Sequence, residues 1–80
     1  METNYKSINY LNKEVSILQY LSESNSQFKL RLEYLKKLEI AGVDWKEASR
    51  LSKIWYCINF KGCRYTPDVY HKVISYEKKK

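Results

Sequence analysis

The chain is poor in the residue types that build most active sites: one histidine, two glycines, one proline and two cysteines in 80 residues. Gly42 and Gly62 stand alone in the sequence, which excludes a glycine-rich phosphate loop and suits each to ending a helix. One histidine and two cysteines leave a tetrahedral zinc site a ligand short, and the spacing of Cys57, Cys63 and His71 matches no zinc finger or knuckle. No metal and no cofactor is expected. Two cysteines do not make a disulfide framework, so both are read as free thiols in a reducing compartment. No apolar run approaches the roughly 18 residues of a membrane span, and Met1 to Tyr10 lacks the basic-then-apolar order of a secretory leader. The expected location is the cytoplasm, with no membrane partner.

Carboxylates are also scarce, nine against fifteen lysines and arginines. Asp44, Glu47 and Asp68 fall where helix starts need acceptors, and Glu14, Glu33 and Glu39 read as solvated helix positions. None of these forms the pair of differently placed titratable groups that acid–base catalysis requires. His71 falls on the outer side of a helix, and no spacing joins it to Cys57 or Cys63 as base and nucleophile. The chain is read as a non-enzyme with no evident small-molecule substrate.

Aromatic rings and cations are abundant. Eight tyrosines, two tryptophans and two phenylalanines give a small chain the large side chains it needs to close a core, and residues 1–80 are read as one domain with frayed ends at 1–5 and 78–80. The formal charge is +6, and its excess lies in the second half. There Lys46, Arg50, Lys53, Lys61 and Arg64 gather around Glu47, a density that marks the functional face.

Periodicity predicts four helices. Ile8, Leu11, Val15, Leu18 and Leu21 recur at three- and four-residue intervals, widened by Tyr10 and Ile17, and predict a first helix over 7–21. SESNSQ, residues 22–27, is a loop whose Ser24 and Gln27 have capping-box spacing. Phe28, Leu32, Leu35 and Leu38 predict a second helix that Gly42 ends. Asp44 is expected to cap a third, from Trp45 to about Phe60, with Glu47 reaching back to the cap and Gly62 as the stop. Thr66, Pro67 and Asp68 open a fourth helix running to about Glu77. The expected fold class is all-α: a two-helix hairpin packed on a longer amphipathic third helix and a short C-terminal helix. A hairpin over 55–66 is the competing reading, because its tyrosine, tryptophan, isoleucine and phenylalanine suit strands.

On the third helix Ala48, Leu51, Trp55 and Ile58 share one side and Lys46, Arg50, Lys53 and Cys57 the other. A helix-turn-helix cut through this segment fails, since the apolar stripe passes Ser52 and Lys53 without a phase change. The row of cations suits phosphates spaced along a nucleic-acid backbone, while a solvated helix face would carry the same charges. The expected function is therefore a small basic DNA- or RNA-binding regulatory or accessory protein. Its contacts are Lys46, Arg50, Lys53, Lys61, Arg64 and Lys72 to phosphates, with Tyr56 and Tyr65 to bases. The alternative is an interaction module or inhibitor that docks on an acidic surface of a larger protein. Brevity and the Lys, Asn, Ile and Tyr bias suggest a viral or mobile-element origin.

Overall fold

In the computed structural model, which describes residues 5–78, the first predicted helix is absent and a β-hairpin stands in its place. Strand β1, Tyr5–Tyr10, pairs antiparallel with β2, Lys13–Leu18, setting Ile8 opposite Val15 and Tyr10 opposite Lys13. The same apolar residues satisfy both periods. Along the strands Ile8, Tyr10, Val15 and Ile17 fall on the covered face, while Ser7, Asn9, Glu14 and Ser16 alternate with them on the exposed one. The turn decides between the two. Leu11 (φ 48°) and Asn12 (φ 66°) both take left-handed backbone, the combination a two-residue type I′ turn requires. A helix over the same segment would have buried Leu11, Leu18 and Leu21, which are 41, 58 and 78% exposed.

The all-α four-helix expectation is thus overturned: the order is hairpin, then three helices. Helix α1, Asn25–Ile40, begins at Ser24, whose hydroxyl accepts from the Gln27 amide at 3.1 Å while the Gln27 side chain accepts from the Ser24 amide at 2.9 Å. It ends at Gly42, which adopts φ 81°. Helix α2, Trp45–Tyr56, runs without interruption past Ser52. It then widens into a π-helical turn, Cys57–Lys61, in which Asn59 Nδ2 donates to the Trp55 carbonyl at 2.8 Å. Gly62 stops it in left-handed backbone, φ 68°. The competing hairpin over 55–66 is therefore not formed. Helix α3, Pro67–Glu77, starts on Thr66, whose side chain accepts from the Val69 amide. The expectation of frayed ends lies, for residues 1–4 and 79–80, outside the described residues, and Tyr5 is a strand residue.

A short hairpin is marginal on its own, so its attachment to the helices matters. Tyr10 is buried with its ring 5.2 Å from that of Trp45, and its hydroxyl donates to the Val43 carbonyl. At the other end a buried ion pair forms. Arg31 Nε and Nη2 donate to the Glu23 carboxylate at 2.8 and 3.0 Å, and Nη2 also donates to the Leu18 carbonyl at 2.6 Å. The guanidinium lies 4.2 Å from the Tyr20 ring centroid, so hydrogen bonds and a π face together replace the water it lost. One turn further along α1, Tyr34 stacks on Trp55 at 5.2 Å and donates to the Val73 carbonyl at 3.0 Å, which ties α1 to both α2 and α3. Leu35, Leu38, Ala48, Leu51 and Val73 are buried between them. Most of the aromatic rings lie in this core or pack against it, while Tyr5, Tyr65 and Tyr70 stay exposed.

Candidate nucleic-acid interface

Helix α2 buries Ala48, Leu51, Ser52, Ile54, Trp55 and Tyr56 and leaves Lys46, Arg50 and Lys53 exposed. These three repeat at four and three residues, so they climb one stripe of the helix at about 1.5 Å per residue. Sorting rings inward and amines outward is what the wheel predicts. Trp45 and Ile58 are half-buried at the edges of the covered face.

The carboxylate at the centre of the cations is Glu47. It does not reach back to the Asp44 amide, and Asp44 itself makes no side-chain cap bond. Instead Glu47 Oε1 accepts from Arg50 Nη2 at 2.7 Å and Nε at 3.0 Å, and Oε2 lies 3.9 Å from Lys72 Nζ. Cations compete better for this side chain than one amide does. The Arg50 hydrogen bond, with the nearby charges of Arg50 and Lys72, holds the Glu47 carboxyl below its ordinary range. One consequence is spatial: Lys72, from α3, joins the row from α2.

Lys61 and Arg64 are exposed in the segment after α2, and Lys61 Nζ lies 6.0 Å from the Tyr56 ring centroid. Among the described residues Lys46, Lys53, Lys61 and Arg64 form no ion pair. Tyr56 departs from expectation. It is 3% exposed, its ring 5.0 Å from that of Tyr20 and its hydroxyl 3.2 Å from Ser22 Oγ, so it has no face to offer a base. The segment linking the hairpin to α1 covers it. Phe60 is likewise spent in an edge contact with Trp55. Tyr65 remains accessible at 39%.

Next to this surface Cys57 is half-buried and Cys63 exposed, with the Cys63 amide donating to the Cys57 carbonyl at 3.1 Å. Desolvation, then a hydrogen bond with Cys57, raises the Cys63 thiol above its ordinary value, and Lys61 pulls the other way. The same causes in the same order raise Tyr65. Both shifts favour the protonated, neutral forms of Cys63 and Tyr65. His71 is exposed, its ring 5.9 Å from that of Tyr70.

Among the described residues no three histidine, cysteine or acidic side chains gather where they could hold a metal ion, and no helix is long and apolar enough to cross a membrane. The chain matches no known family model, no curated protein and no solved structure.

Proposed function

We propose that the chain is a small nucleic-acid-binding accessory protein whose α2–α3 face lies along a phosphate backbone. The observation that carries this reading is the position of Lys72 beside Glu47 and Arg50, because it turns a single helix stripe into a surface built from two elements. Lys46, Arg50, Lys53 and Lys72 contact phosphates, and Lys61 and Arg64 extend the row along the following segment. Each neutralised phosphate releases condensed counterions, which supplies affinity without reading sequence. Tyr65, exposed in the segment that carries Lys61 and Arg64, is free to stack on an unpaired base.

The test is fluorescence anisotropy with labelled single- and double-stranded oligonucleotides at low salt. Binding is expected to weaken by roughly two- to fivefold for each of Lys46→Ala, Lys53→Ala and Lys72→Ala. No binding at low salt by any oligonucleotide, or binding indifferent to all three substitutions, overturns the reading.

A further inference from the structure

The sheet has two strands, β1 and β2, so β1 keeps one edge without a ladder partner among the described residues. That edge borders a groove of about 770 Å³ between β1 and α1. Its floor is apolar: Ile8 and Leu32 are half-buried and Tyr10 is buried. Its rim is cationic, with Lys6 from β1 and Lys29 and Lys36 from α1 all exposed. Of the remaining charged lining groups, Glu39 is engaged by the Leu11 amide at 2.9 Å and Lys37 by the Glu77 carbonyl at 2.9 Å. Counted by charge, the lining sets the four amines of Lys6, Lys29, Lys36 and Lys37 against the two carboxylates of Glu33 and Glu39, so cations prevail.

We propose that this groove binds an acidic, extended segment of a partner protein, added as a third strand on β1 with apolar side chains against Ile8 and Leu32 and carboxylates against Lys6, Lys29 and Lys36. Strand addition supplies main-chain hydrogen bonds from an edge that otherwise lacks them, and the pockets between alternate residues supply selection. Charge complementarity sets the sign of the occupant. A nucleic-acid backbone suits the groove less well, because it would leave the apolar floor uncovered. The Tyr10 ring, 1% exposed with its hydroxyl on the Val43 carbonyl, offers no stacking platform. A second copy suits it less well too, since β1 carries Lys6 and no acidic residue and would bring another amine into a cationic groove. None of these residues belongs to the α2–α3 face, so the two proposals stand or fall separately.

The probe is a fluorescently labelled peptide of about nine residues, with valine at alternate central positions and glutamate elsewhere, titrated by anisotropy at low salt. Saturable binding is expected, weakened about tenfold by Lys29→Glu combined with Lys36→Glu and unchanged by Lys46→Ala with Lys53→Ala. The same peptide N-methylated on alternate backbone nitrogens loses its ladder donors and is expected to bind at least as poorly, an arm that needs no change to the protein. Absence of saturable binding overturns the proposal, as does equal affinity of the charge-reversed variant or of the N-methylated peptide. A single-stranded oligonucleotide whose own binding is abolished by Lys29→Glu with Lys36→Glu would reassign the groove to nucleic acid. A dimer seen by sedimentation that excludes the peptide would reassign it to a second copy.

Discussion

Lys72 Nζ on α3 stands 3.9 Å from Glu47 Oε2 on α2, while the other oxygen of that carboxylate accepts both Arg50 Nε and Nη2. One acid therefore sits among cations from two helices and partly masks them. Replacing it with a neutral isostere, Glu47→Gln, is expected to tighten oligonucleotide binding by roughly two- to fivefold, because Arg50 and Lys72 become free to meet phosphates. Anisotropy at fixed salt checks this. Unchanged or weaker binding would show that neither cation faces the ligand.

The Glu23–Arg31 pair is the polar joint between the hairpin and α1, with the two side chains 0 and 4% exposed. Arg31→Met leaves an uncompensated buried carboxylate and is expected to cost about 3 to 5 kcal/mol. Adding Glu23→Gln, which retains an acceptor for the Tyr20 amide, removes that charge and should recover a substantial part. Urea denaturation of the two variants gives the comparison. A loss under about 1 kcal/mol for Arg31→Met would mean that the pair is solvated.

Alkaline pH tests the other attachment of the hairpin. Burial, aided by the charges of Glu39 and Asp44, pushes the Tyr10 phenol up to about 12 from 10.0. The folded state therefore favours the neutral phenol. Its stabilisation is complete below pH 10 and is lost as pH climbs toward 12, a fall of roughly 2 to 3 kcal/mol for so buried a group. Tyr20 and Tyr34 are shifted the same way, by burial first, and deepen the fall. Tyr10→Phe should be less stable at neutral pH and decline less steeply in this range. Equal steepness in both proteins would show that Tyr10 ionises freely when folded.

Three helices were legible in the sequence because their signals are local. Ser24 and Gln27 lie within one turn, Gly42 and Gly62 need only their own backbone, and Thr66–Pro67–Asp68 is a helix start by chemistry alone. The hairpin was not, because Ile8, Val15 and their neighbours fit a period of 3.6 as well as one of 2. The arbiter, a Leu11–Asn12 turn, lacks the Asn-Gly or Asp-Gly pair that usually announces one. The alternation of Ile8 and Tyr10 with Ser7 and Asn9, and of Val15 and Ile17 with Glu14 and Ser16, was the available signal. At the candidate site the wheel placed Lys46, Arg50 and Lys53 outward, as found. It missed that Tyr56 is buried, because what lies on it is Tyr20 and Ser22, a covering segment whose path only the hairpin fixes. The Glu47–Lys72 approach and the Glu23–Arg31 pair are likewise products of packing between distant residues.

The salt dependence of oligonucleotide binding tests most directly the proposal that backbone phosphates meet the α2–α3 cations. For the unaltered protein the plot of log K against log salt concentration is expected to fall with a slope of roughly −3 to −5, and Lys46→Ala with Lys53→Ala to make it shallower by roughly 1.5 to 2. A slope near zero, or one that the double substitution leaves unchanged, would contradict the assignment of this face.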